Sequence, residues 1–173
     1  MSSRRPFSKV LPGTSGILVE SGTCYGDGVQ AALDAGYKEV HSYEVVADLY
    51  QKAVTRFADA KKVKLYLKSS KDMYSDIHQL EGKLVFWLDG HYSSGPTGYV
   101  DKFCPLLEEL DAIARLSRKD HTILVDDCRL LGTADFNGVT LAELKRKILS
   151  INPDYKFSQE DGHVPGDVLV AAV

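Results

Sequence analysis

Five times in succession a short apolar run of this chain gives way to an amphipathic stretch. No other feature constrains the fold as much, because strands joined by helices of that length stack side by side and parallel. Residues 16–20, 39–44, 63–67, 84–88 and 121–125 read as strands. The helices expected after them cover 26–35, 46–60, 70–80, 100–116 and 141–150. In the first helix Val29, Ala32 and Leu33 share a face, and Gly36 stands where a C-cap glycine belongs. In the second, Leu49, Ala53 and Phe57 recur every four residues. Ser70 is the expected N-cap of the third. The run 84–88 is apolar throughout, as in a central parallel strand covered on both faces. Two last strands are expected at 155–158 and 168–173. The loop between them, 159–166, is too short for a crossover, so they pair antiparallel.

The expected fold class is therefore α/β: a Rossmann-like, doubly wound, mostly parallel sheet with an antiparallel last strand. At 173 residues the chain suits one domain, expected at 15–173 behind an N-terminal arm at 1–14. Hydrophobic residues make up 44% and charged residues 26%, as in ordinary globular proteins. A net charge of −3 gives no field to attract nucleic acid, and the cluster Ser3-Arg4-Arg5 is too short to change that. No run approaches the ~18 apolar residues of a membrane span. The three cysteines, Cys24, Cys104 and Cys128, lack metal-ligand spacing, and their odd number suits a reducing compartment. A cytoplasmic location is the expectation. Nothing in the sequence speaks to oligomeric state.

Ligands of open α/β sheets bind beyond the carboxyl ends of the strands. Here those ends carry Glu20-Ser21-Gly22-Thr23-Cys24-Tyr25-Gly26, then Glu44, Lys68-Ser69-Ser70, Asp89-Gly90-His91 and Asp126-Asp127. Gly22 and Gly26 permit a tight turn, and the following helix N-terminus offers free N–H groups. The spacing is not that of a pyrophosphate loop. Glu20 would repel a pyrophosphate and suits a ligand with an ammonium group. The same turn also reads as an ordinary β-α connection. Glu44 lies 22 positions after Gly22, where an acid commonly accepts ribose hydroxyls; a solvated strand-end acid is the alternative. Asp89, Asp126 and Asp127 end two neighbouring strands. Such carboxylates repel unless they share a cation or take up a proton, and oxygen ligands favour a hard divalent ion such as magnesium or manganese. The alternative is that Asp126 or Asp127 caps a turn. His91 is placed to act as a general base or as a further ligand.

From residue 15 onward these motifs resemble the class I S-adenosylmethionine-dependent methyltransferases. Glu20-x-Gly22-x-x-x-Gly26 is similar to that family's first motif, and Glu44 to its ribose-binding acid. The antiparallel last strand also fits that fold. Within the class, Leu88-Asp89-Gly90-His91-Tyr92 together with Ile123-Leu124-Val125-Asp126-Asp127 is similar to the metal-dependent macrocin-type sugar O-methyltransferases. The resemblance implies a cofactor site made by Glu20, Gly22, Thr23, Tyr25, Gly26, Glu44, Ser69, Ser70 and Asp89. It implies magnesium or manganese on Asp89, Asp126 and Asp127. His91, with Asp89, would carry the catalysis, and the acceptor would be a hydroxyl of a sugar or glycan. Where the family often has Gly-Asp-Ser after the third strand, this chain has Lys68-Ser69-Ser70, which leaves adenine to the two serines.

The acceptor site is expected to be open, or built from residues 92–98, 132–138 and the N-terminus. Tyr92 would stack on a sugar ring or simply pack. Trp87 is expected in the core, Arg129 in solvent, and Cys24 as a small packed side chain. The alternatives are a catalytically silent cofactor-binding or scaffold domain, and a metal-independent methyltransferase of a small molecule.

Overall fold

The computed structural model describes residues 6–91 and 104–173. Among them are seven strands in one sheet: β1 (Ile17–Ser21), β2 (Glu39–Glu44), β3 (Val63–Leu67), β4 (Val85–Leu88), β5 (Thr122–Val125), β6 (Lys156–Glu160) and β7 (Val168–Ala172). Their order is β3-β2-β1-β4-β5-β7-β6. β1 to β5 are mutually parallel, and β7 runs antiparallel to both β5 and β6. The chain moves outward from β1 to β3, then returns to β4 on the other side of β1. The switch in strand order thus lies between β1 and β4, the place where α/β sheets bind ligands.

Two cores lie on opposite faces of the sheet. Alternate residues of each strand divide between them: Val19, Phe86, Leu88, Ile123 and Val125 point to one, Leu18, Val85, Trp87 and Leu124 to the other. The first core is closed by α3 (Tyr74–Ile77), α4 (Leu106–Ala114) and α5 (Leu141–Ile151), through residues such as Ile77, Leu110, Ile113, Leu144 and Ile148. The second is closed by α1 (Asp27–Ala35) and α2 (Ala47–Arg56), through Val29, Ala32 and Ala53. β4 is buried at all four positions, as its unbroken apolar run requires.

The architecture is the doubly wound, mostly parallel sheet expected, with the antiparallel strand in its place. Three local expectations need correction. α2 stops at Arg56 rather than 60, with Phe57 as its C-cap. The helix expected over 70–80 is a 3₁₀ turn, Ser70–Asp72, followed by the four residues of α3. Ser70 is not its cap, because its hydroxyl donates to Glu109 on α4. The start of the helix expected over 100–116 falls outside the described residues; what is described is Leu106–Ala114.

Of the described residues before 15, Phe7, Val10 and Leu11 pack into the second core. Phe7 is 0% exposed, with its ring edge-on to Tyr37 and Trp87 at centroid distances of 6.0 and 5.2 Å. The Tyr37 hydroxyl donates to the Phe7 carbonyl. Trp87 is a core residue, as expected. Among the described residues no helix is long and apolar enough to cross a membrane.

Candidate functional site

The strand register brings Ser21, Leu88 and Val125 to one edge of the sheet, with Tyr43-Glu44 and Leu67 beside them. The loops after these strands make the site. In the first loop Gly22 has φ +81, and a Cβ on it would meet the Asp89 carbonyl oxygen at 2.5 Å. The loops after β1 and β4 therefore touch backbone to backbone, which only glycine permits. Gly22 N and Thr23 N both donate to the Tyr43 carbonyl, and Cys24 N donates to Glu44 Oε2. Gly26 is the left-handed N-cap of α1, with no side chain capping the first turn.

Glu20 does not stand in the open loop. It is 2% exposed, and its Oε2 accepts the Ser42 hydroxyl at 2.6 Å. Ser42 in turn shares a 2.6 Å hydrogen bond with Thr23 Oγ1. The Glu20 carboxylate lies against the first turn of α1, so close that a Cβ on Gly28 would come within 1.7 Å of Oε1. There its charge meets the positive end of the helix dipole. Glu20 and Thr23, expected on the ligand, are both buried and are joined through Ser42. Tyr25 is 53% exposed, and its carbonyl accepts from Arg56. Burial raises the Cys24 thiol pKa, in keeping with a packed side chain rather than a nucleophile.

Glu44 ends β2. Oε1 accepts the N–H groups of Val45 and Val46, both at 2.9 Å, and Oε2 accepts that of Cys24 at 2.8 Å. One carboxylate thus anchors the start of α2 and the β1 loop together. Each carboxylate oxygen offers two acceptor sites, so Oε2 keeps one beyond the bond from Cys24. After β3, Lys68 turns away to pair with Asp76 at 2.7 Å. Ser70 is buried against Glu109, and Ser69 is the more accessible serine.

The acids after β4 and β5 separate into two groups. Ligand atoms of Asp89, His91 and Asp127 lie within 4.8 Å of one another, as do those of Asp126, Asp127 and Asp167. The expected trio Asp89, Asp126 and Asp127 is thus divided, with Asp127 shared. Asp126 Oδ1 accepts the Asp127 N–H. Asp127 adopts a left-handed conformation, φ 56. That conformation is uncommon outside glycine. Its Oδ2 lies 3.4 Å from His91 Nε2. His91 Nδ1 is 3.7 Å from Asp89 Oδ1 and, among the described residues, has no hydrogen-bond partner. The imidazole packs on Phe136 at 5.2 Å, so the 132–138 segment does border the site. Burial lowers the His91 pKa against the pull of Asp127, which favours the neutral ring.

Arg129 is exposed, as expected, and its guanidinium also bridges Asp127 Oδ1 and Asp167 Oδ2. Asp167 was missed in the sequence, although the antiparallel last strand contained the signal. A strand running the other way begins where its neighbours end, and with β7 beside β5 the residue before it joins the acids after β5. Two expected parts of the acceptor site, Tyr92 and the 92–98 loop, lie outside the described residues. A separate cavity of about 310 Å³, lined by His78, Glu81, Arg118 and His121 among others, opens at the opposite end of the sheet, away from these acids.

No family model and no curated protein matches this sequence. Solved structures do match the fold. The O-methyltransferase TomG of Streptomyces achromogenes, involved in tomaymycin synthesis and solved with S-adenosylmethionine, aligns over 97% of this chain and 79% of its own, at 16% identity and a TM-score of 0.66. A Staphylococcus aureus protein provisionally assigned as a caffeoyl-CoA O-methyltransferase aligns over 96% of this chain and 80% of its own, at 10% identity and 0.64. The S-adenosylhomocysteine-bound methyltransferase PaMTH1 of Podospora anserina aligns over 91% and 71%, at 14% identity and 0.59. The fold is that of the class I methyltransferases.

Proposed function

We propose that this chain is an S-adenosylmethionine-dependent O-methyltransferase that uses a divalent cation and methylates a hydroxyl of a sugar or glycan. One observation carries the reading: Asp89, His91 and Asp127 converge beside the β1 loop, at the switch point of a methyltransferase fold. The cofactor supplies an electrophilic methyl group. Glu44 Oε2 would accept a ribose hydroxyl, Ser69 would face the adenine, and Gly22 and the uncapped first turn of α1 would border the methionine part.

The donor set suits a hard cation such as magnesium or manganese. Its two carboxylates are in line with the ligand preferences of such ions, and the imidazole beside them keeps a buried nitrogen that has no hydrogen-bond partner among the described residues. A cation held there lowers the pKa of a coordinated hydroxyl. Asp89 and Asp127 would be its carboxylate ligands. Asp126 would act through the Asp127 amide, and neutral His91 would take the acceptor's proton. The sugar acceptor rests on the two motifs that end at Tyr92 and Asp127.

A metal-free methyltransferase is the second reading. It is favoured by Arg129, which already places a positive charge between Asp127 and Asp167.

Calorimetry with S-adenosylhomocysteine, with and without manganese, tests both. The expected result is binding of S-adenosylhomocysteine, manganese binding that Asp89→Asn abolishes, and methyl transfer to hydroxylated sugars that EDTA stops. Transfer that survives EDTA supports the metal-free reading. A chain that fails to bind S-adenosylhomocysteine is not this enzyme.

A further inference from the structure

Glu109 lies on α4, outside every motif discussed so far. It is 1% exposed, and among the described residues no Lys or Arg pairs with it. A buried carboxylate without a cation is costly, and burial pushes its pKa up to about 7. Its surroundings are all parts of the cleft. Oε1 accepts the Ser70 hydroxyl at 2.5 Å, on the wall after β3. The Ser21 hydroxyl at the end of β1 also favours its charged form, and Ser21 Oγ accepts the Asp89 N–H at 3.1 Å. A Cβ on Gly90 would meet Ser21 Oγ at 3.0 Å and Glu109 Oε1 at 3.2 Å. A side chain in place of Gly90 would therefore crowd both groups.

We propose that Glu109 is a positioning residue of the cofactor cleft. From beneath, its carboxylate fixes the Ser70 hydroxyl on one wall and lies beside the Ser21 hydroxyl that receives the Asp89 amide on another. The inference rests on the functional reading above for what occupies the cleft, and on geometry alone for what Glu109 holds in place.

The test uses the full chain and Glu109→Gln, which keeps the shape and removes the charge. Three measurements are made at pH 8: thermal unfolding, calorimetry with S-adenosylhomocysteine, and hydrogen exchange at the Asp89 amide. The variant should unfold at the same or a higher temperature, because a buried charge is gone. It should nevertheless bind S-adenosylhomocysteine about tenfold more weakly, the equivalent of ~1.4 kcal/mol, and exchange the Asp89 amide faster. Ser70→Ala should weaken binding too, and the double variant should be no worse than the weaker-binding single one. A purely structural Glu109 would do the reverse, lowering the unfolding temperature and leaving binding by the folded protein intact. That result, or wild-type binding by Glu109→Gln, overturns the inference. If the wild-type chain itself does not bind S-adenosylhomocysteine, the functional reading fails, and the exchange at Asp89 decides the positioning role by itself: faster exchange upholds it and unchanged exchange overturns it.

Discussion

Replacing Gly28 by alanine would ordinarily stabilise a helix, by about 0.5–1 kcal/mol. Gly28 is in the first turn of α1, and here the sign should invert. The new Cβ would stand 1.7 Å from Glu20 Oε1 and 2.9 Å from its carboxyl carbon. Non-bonded carbons approach comfortably only to about 3.5 Å. The carboxylate must therefore retreat by roughly 2 Å, which ends its 2.6 Å hydrogen bond from Ser42. A hydrogen bond to a charged group contributes about 1.5–3 kcal/mol. After the helix-propensity gain is subtracted, the net loss is about 1–2 kcal/mol. For a chain of this length each kcal/mol moves the unfolding midpoint by about 2–4 °C. Gly28→Ala should thus unfold roughly 2–8 °C lower by circular dichroism. In a Glu20→Ala background the obstacle is gone, and the same change should be neutral or stabilising. A rise in midpoint for the single variant would refute the placement of Glu20 beneath α1.

Two further outcomes concern the rest of the fold. Phe7→Ala should cost about 3–5 kcal/mol in urea unfolding, the usual range for a fully buried aromatic; a loss below about 1 kcal/mol would detach the N-terminal segment from the core. His121 is buried, its Nδ1 accepts the Leu84 N–H, and burial lowers its pKa to about 4. Its neutral form belongs to the folded state, so its contribution is intact above pH 6.5 and is lost as pH falls towards 4. At about 1.36 kcal/mol per pKa unit, His121 accounts for a stability loss of about 2–3 kcal/mol between pH 7.5 and 4.5. His121→Gln should remove that part of the slope in urea titrations at the two pH values. An unchanged slope would contradict the assignment.

The sheet was legible because its signals are local. Period-two and continuous apolar runs mark strands, four-residue recurrences mark helices, and a short final loop forces an antiparallel pair. The side-chain roles were less legible, because they depend on which elements meet. Glu20 lies on β1 and Thr23 in the loop after it, yet Ser42 on the neighbouring strand hydrogen-bonds both from below. Ser70 looks like a cap until α4 packs against it and Glu109 takes its hydroxyl. Glu109 itself left a trace. It falls within the helical stripe of Leu106, Leu110 and Ile113, which are all buried, and a charge inside an apolar stripe marks a group with a partner. Asp167 needed the direction of β7, which the sequence implied, and its position beside β5, which it did not.

The two carboxylate oxygens of Asp127 bear on whether Arg129 and a divalent cation exclude each other. Oδ1 is the atom that Arg129 holds, and Oδ2 is the one that faces His91. The guanidinium is itself held on its other side by Asp167, and the Asp127 amide is tied to Asp126. These contacts, with the left-handed backbone at Asp127, fix the carboxylate so that one oxygen faces Arg129 and the other lies toward His91. A cation there would take the oxygen that Arg129 leaves. On this geometry Arg129 orients the carboxylate rather than replacing the metal, and the observation that favours the metal-free reading is compatible with both.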